Sequence, residues 1–234
     1  MMNTHSQSFI ADLATLTAHQ PDKIALLDGQ GRAITYRELL DHIEYAKAWL
    51  ASTGLQPGDT VIALMPNAIE TVLLFLASMR GGYTYAPLPC TATFAEVMHF
   101  KALTRARCCL LAHSVSTSFR ERVMTLDWRV INIEIGESKM PWPLTQNAAP
   151  SICAGRIAIA SSGSTGEPKA MLLDIDRLWS AGKAFLRYHH IDGDVRFWNY
   201  LPMSYLGGLF NLTLIPLAAG GSLLVDEAFN GKTF

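Results

Sequence analysis

Apolar residues follow two rhythms along the chain. Short apolar runs, IALLD (24–28), TVIAL (60–64), TYAPL (84–88), CCLLA (108–112), VINIE (130–134) and RIAIA (156–160), have the length expected of strands buried on both faces. Between them apolar positions recur every three or four residues, as at Leu39, Ile43, Ala46 and Leu50, the spacing of one helix face. Three such segments open on a short polar residue with Glu three positions later: Thr35 with Glu38, Asn67 with Glu70, and Thr93 with Glu96. In that arrangement the short side chain satisfies a free backbone N–H and the carboxylate reaches back to the cap. Helices are therefore predicted over 35–52, 67–80 and 93–105. Asn67 departs from the Ser or Thr of the strict box, and Pro87 and Pro89 predict that the third strand is short or bends away.

Strand and helix alternate through short links marked by Gly or Pro, such as GLQPGD (54–59). This is the pattern of an α/β fold with helices on both faces of mostly parallel sheets. The segment 138–151, with three prolines, predicts a boundary between an N-terminal α/β unit over 1–150 and the start of a second over 151–234. In the second unit RIAIA leads into a loop rich in Gly and hydroxyls, and MLL (171–173) forms a return strand. Residues 174–190 then read as a helix, 196–201 as a strand, 204–219 as a helix and 221–227 as a strand.

With 50% hydrophobic residues in 234, the chain has enough apolar material for a sizeable core and too much for a disordered linker. Charged residues make up only 17%, which points to a surface partly covered by other protein. A net charge of -1 leaves no basic excess to neutralise phosphates, so a nucleic-acid partner is not expected. Cys90, Cys108, Cys109 and Cys153 form no CxxC pair, and the adjacent Cys108 and Cys109 read as buried strand residues. The first residues lack a signal peptide's basic start and apolar stretch, and the region Leu209–Val225 is too interrupted for a membrane span. The expectation is a soluble cytoplasmic protein.

The chemistry concentrates in Ser161, Ser162, Gly163, Ser164, Thr165, Gly166, Glu167, Pro168 and Lys169. Glycines let backbone N–H groups approach an anion, hydroxyls add donors, and the lysine brings a mobile positive charge. A polyphosphate is the natural occupant. The loop is not a Walker motif, since Glu167 and Pro168 stand between the last Gly and Lys169, and it is no G-x-G-x-x-G fingerprint.

SSGSTGEPK resembles the signature loop of the adenylate-forming superfamily, which includes acyl-CoA and aryl-CoA synthetases, luciferase-type enzymes and nonribosomal adenylation domains. ITYRELL (34–40), GLQPGDTVIALMPN (54–67), SMRGGYTYAPL (78–88) and LPMSYLGGLF (201–210) resemble that superfamily's other early motifs, in the right order. The resemblance implies attack of a carboxylate on the α-phosphorus of ATP, giving an acyl-adenylate and pyrophosphate. The acyl group then passes to a thiol, coenzyme A or the pantetheine of a carrier protein. By position, Ser161 to Gly166 would wrap the β- and γ-phosphates. Thr165 would help hold the Mg²⁺-bound phosphates, and Lys169 would add charge beside the departing pyrophosphate; Thr165 and Lys169 are the candidate catalytic residues. Tyr205 stands where acyl-CoA synthetases carry His or another aromatic at the carboxylate end of the acyl pocket, with packing against the sheet as its plainer reading. Gly207 and Gly208 would open room for the substrate or allow close helix packing. Met203, Ser204 and Tyr205 offer no carboxylate for an amino-acid ammonium, which favours a fatty or aromatic acid. Ala170 stands in place of the family's usual Gly, and Ala160 in place of its usual aromatic.

The superfamily's later motifs are not found in this sequence: neither the segment with the adenine-stacking aromatic and metal-binding Glu, nor the ribose-binding Asp, nor the small C-terminal domain with its lysine. Two readings stay open. One is the N-terminal part of an adenylating enzyme, inactive without its C-terminal half. The other is a naturally short, non-catalytic protein that binds a nucleotide, an acyl ligand or a partner.

Overall fold

The computed structural model describes residues 8–137, 139–144, 154–161 and 169–226. In it each of the six apolar runs becomes a strand. The chain enters through α1 (Phe9–His19), capped by Ser8, then β1 (Ile24–Asp28) and β2 (Ala33–Thr35). Next come α2 (Tyr36–Ser52), β3 (Thr60–Leu64), α3 (Ile69–Arg80), β4 (Thr84–Leu88), α4 (Phe94–Thr104), β5 (Cys108–Ala112), α5 (Thr117–Met124) and β6 (Arg129–Ile133). The second part holds β7 (Arg156–Ser161), β8 (Lys169–Asp174), α6 (Ile175–His189), β9 (Arg196–Asn199), a π-helix over Gly207–Leu214, α7 (Ile215–Ala219) and β10 (Ser222–Val225).

The strands form two sheets, ordered β6-β5-β3-β4-β7-β8 and β2-β1-β10-β9. Only β8 in the first sheet and β2 in the second run antiparallel to their neighbours. Alternation along the strands sorts the core. Val61, Ala63, Cys108 and Leu110 face one cluster with α2 and α3, whereas Ile62, Leu64, Cys109 and Leu111 face another with α4 and α5. Helices thus cover both faces of the six-stranded sheet. α3 is buried at every position from Ile69 to Met79 and packs on both β4 and β1, so it lies between the two sheets. Both sheets draw strands from either side of residue 150.

Two of the three capping boxes are present: the Thr35 and Thr93 side chains accept from the backbone N–H of Glu38 and Glu96, and those carboxylates accept from the caps in return. The third is corrected. α3 starts at Ile69 without a side-chain cap, because both residues expected to form that box are engaged elsewhere. Glu70, fully buried, takes the Arg32 guanidinium at 2.6 Å and 3.3 Å and the Gly136 N–H at 3.3 Å. Asn67 turns its amide to the segment after β9. A charge without solvent demands a partner more strongly than a helix end demands a cap. Arg32 also binds Asp28 at 2.6 Å, and the bond to Glu70 above all raises its already high pKa.

The proline expectation is met: β4 has five residues and parts from β7 beyond Tyr85. β4 is a central strand, paired with β3 from Thr84 to Leu88. Its ladder to β7 ends after Tyr85, so Pro87 falls beyond the point where an N–H is required on that side. Past that point the C-terminal ends of β4 and β7 separate.

Candidate functional site

β7 and β8 pair antiparallel without a break from Arg156 opposite Asp174 to Ser161 opposite Lys169, so the two described ends of the phosphate-type segment lie side by side. Ser162, Gly163, Ser164, Thr165 and Gly166 lie outside the described residues; Ser161 closes β7, and Lys169 opens β8 in an exposed position. A loop of glycines and hydroxyls with one lysine, anchored at both ends by a ladder, has the donor chemistry that suits a polyphosphate. Among the described residues no three His, Cys, Asp or Glu side chains converge as metal ligands.

Where β4 and β7 separate, a cavity of about 550 Å³ opens beside the loop's root. Its wall includes Pro87 and Leu88 at the end of β4, Glu96 and His99 on α4, Ala160 just ahead of the loop, and Tyr205. No lysine or arginine lines it among the described residues. Glu96, though exposed, is held below the usual carboxylate range by its bonds from the Thr93 N–H and hydroxyl, so the one acidic wall residue is an anion near neutral pH. Tyr205 is 56% exposed and sits in a turn in which its N–H donates to Pro202 O and its carbonyl accepts from Leu209 N, both at 3.1 Å.

The helix expected over 204–219 starts later and is wider. Its first eight residues, Gly207–Leu214, follow the π-helical spacing, and α7 continues from Ile215. Gly207 and Gly208 are not among the residues that line the cavity. A Cβ at Gly208 would stand 2.5 Å from Pro202 O and 2.6 Å from Leu201 O, while at Gly207 it would meet Leu201 Cδ1 at 3.2 Å. The close-packing reading is what this geometry supports, most strongly at Gly208, where backbone meets backbone. Gly208→Ala should destabilise the fold by about 1–3 kcal/mol through overpacking, measured by urea denaturation. Wild-type stability in that variant would mean that the 201–208 turn yields freely.

Three buried polar residues lie under this turn: Asn67, whose cap signature pointed to another role, and Asn199 and Thr213, which no motif announces. The only sequence trace is the five-residue spacing of Gly208 and Thr213, which matches the π-helical turn and is invisible to a search for helical periods. Cys108 and Cys109 lie buried in β5, as the sequence predicted. Burial pushes the Cys108 thiol up to about 12 and that of Cys109 well above its ordinary range, so neither is a nucleophile here. Cys153 lies outside the described residues. Among the described residues no helix is long and apolar enough to cross a membrane.

The sequence profile described as AMP-binding enzyme matches residues 13–232. A sulfoacetate–CoA ligase of Cupriavidus necator is 28% identical over the whole chain, which covers 48% of that protein. An oxalate–CoA ligase of Arabidopsis thaliana is 25% identical over 92% of the chain, covering 44% of its own length. The crystal structure of ATP-bound MatB from Rhodopseudomonas palustris superposes with a TM-score of 0.81 over 95% of the chain and 46% of its own, at 24% identity, which supports the fold. The chain thus spans about half the length of these relatives.

Proposed function

The chain belongs to the AMP-binding enzyme family, and on that premise we propose that the polypeptide carrying it activates a carboxylic acid with ATP and passes the acyl group to a thiol. In the first step a carboxylate oxygen bonds to the α-phosphorus and the bond to pyrophosphate breaks. In the second the thiol sulfur bonds to the acyl carbon, AMP leaves, and the thiol proton goes to solvent or a base. The observation that carries the reading is the antiparallel pairing of β7 and β8, which sets Ser161 and Lys169, the two ends of a segment of glycines and hydroxyls, side by side. Ser161 to Gly166 would donate to the β- and γ-phosphates, and Lys169 would offset the charge that gathers on the leaving pyrophosphate. Mg²⁺ would enter with the phosphates to neutralise their charge, and Thr165 would help hold the Mg²⁺-bound phosphates.

The cavity beside the loop supports an organic acid as the substrate. Apolar wall residues and the absence of a lysine or arginine, among the described residues, suit a fatty or aromatic monocarboxylate better than an acid with a second negative charge. Tyr205 would stand at the carboxylate end, with a hydroxyl able to donate to an oxygen of the acid or the adenylate. The sulfoacetate and oxalate ligases bear names of small, doubly charged acids, and Glu96 at the cavity wall argues against such a substrate here. The acceptor would be coenzyme A or the pantetheine of a carrier protein, and the cytoplasm is the compartment where ATP and either acceptor are at hand.

The test is pyrophosphate–ATP exchange by that polypeptide across a panel of acids. The proposal expects exchange that depends on a monocarboxylate such as octanoate or benzoate, and no dependence on any acid would overturn it. Tyr205→Ala should shift the preference between acids by about tenfold. Unchanged kinetics across the panel would return Tyr205 to a packing role.

A further inference from the structure

The Tyr205 turn is tied at both ends by buried amides and a hydroxyl. After β9, Asn67 Nδ2 donates to Leu201 O at 2.8 Å and to Asn199 O at 3.3 Å, while its Oδ1 accepts from Met203 N at 2.8 Å. Beyond Tyr205, the Thr213 hydroxyl donates to Gly208 O, five residues back, at 2.8 Å. Asn199 Nδ2 donates to the same carbonyl at 3.1 Å and to Thr213 Oγ1 at 2.9 Å. Gly208 O can only accept, so the Asn199 amide must present its nitrogen there. Asn199 and Thr213 are fully buried and Asn67 nearly so.

π-Helical winding is rare and needs a cause, and Pro216, with no N–H to offer Leu212 O, supplies one. The side-chain bonds to Gly208 O supply another. Asn199 meanwhile keeps its Oδ1 buried with no hydrogen-bond partner among the described residues, a penalty that an apolar side chain of similar size would avoid. Stability alone does not account for an amide at that position, whereas fixing the path of residues 201–208 does. Ser204 and Tyr205 lie between the two ties and line the cavity.

The structure assigns Asn199 and Thr213, together with Asn67, as positioning residues: they select the wide turn and so set where the Tyr205 ring stands at the cavity. None of the three touches the cavity's ligand in this assignment; each acts through Tyr205. The assignment rests on the acid-activation reading for its consequence, which is acid selectivity.

Thr213→Val keeps the shape and deletes the hydroxyl, Thr213→Ser keeps the hydroxyl and deletes the methyl, and Asn199→Leu removes the amide. The first readout is the ratio of kcat/KM for octanoate over benzoate in pyrophosphate–ATP exchange by the polypeptide that carries this chain. The second is native-state hydrogen exchange of the amides in 207–214. Thr213→Val should change the acid ratio about tenfold while the KM for ATP stays within about twofold, and Thr213→Ser should restore the ratio. Asn199→Leu should move the ratio as Thr213→Val does. A folded Thr213→Val protein with the wild-type ratio overturns the assignment, as does a serine variant no better than the valine one. If the wild type shows no exchange with any acid of the panel, the acid-activation reading fails, and hydrogen exchange alone decides. Faster exchange over 207–214 in Thr213→Val and not in Thr213→Ser upholds the positioning of the turn; equal protection in all three sinks it.

Discussion

Arg32→Met should lower the stability of the fold by about 3–5 kcal/mol, a large part of what a domain of this size possesses. The reason lies in Glu70. Its side chain has no exposed surface, and the Arg32 guanidinium supplies its charged partner at 2.6 Å. Without Arg32 that carboxylate keeps one long bond, from the Gly136 N–H at 3.3 Å, and carries its charge in an apolar layer between two sheets. The partner variant sharpens the test. Arg32→Met combined with Glu70→Met removes both charges from the interior and should recover much of the loss, since Asp28 still accepts from the Gln30 and Arg32 N–H groups. Urea denaturation of the two proteins measures the difference. If the double variant is no more stable than the single, the buried charge is not the source of the penalty.

Lys169→Ala should reduce kcat/KM for ATP by about a hundredfold and leave the carboxylate KM within about twofold. Lys169 opens β8 directly opposite Ser161, where the loop rejoins the sheet. A cation fixed there by backbone pairing acts on whatever anion the loop holds, and the loop's donors suit phosphates. The effect is a loss of electrostatic stabilisation that grows as pyrophosphate departs, so it falls on ATP use. Steady-state kinetics with each substrate varied in turn separates the terms. A loss confined to carboxylate affinity would remove Lys169 from the phosphate side of the reaction.

Much of the fold was legible in the sequence because burial on both faces leaves an unbroken apolar run. IALLD, TVIAL, TYAPL and CCLLA appear as strands with the bounds read from the chain. Thr35 and Thr93 were legible as caps because their interactions are local. Asn67 and Glu70 carried the same local signature and did something else, since their partners, Asn199, Leu201, Met203 and Arg32, are distant in sequence. α1, α5 and β2 passed unnoticed: α5 buries only Val123, which leaves no apolar stripe, and β2 has three residues. At the candidate site the loop announced itself through composition and order, whereas the residues beneath Tyr205 did not. A π-helical turn and a buried amide have no period, and only the folded chain brings Asn67, Asn199 and Thr213 together.

The division at 138–151 was read from prolines, yet hydrogen bonding crosses it in both sheets. β1 has its parallel neighbour in β10, and the Ser222 hydroxyl donates to Ile24 O across 198 residues. During synthesis, then, β1 leaves the ribosome well before β10, with β2 as its partner among the described strands and its other edge open until β10 follows. β3, β4, β5 and β6 can assemble in the meantime, because their pairings are close in sequence. The smaller sheet thus closes only after the larger one's first four strands can pair, and the apolar β1 keeps an open edge while the 198 residues from Ile24 on to Ser222 are made. Residues 24–28 are the segment most exposed to intermolecular pairing in that interval.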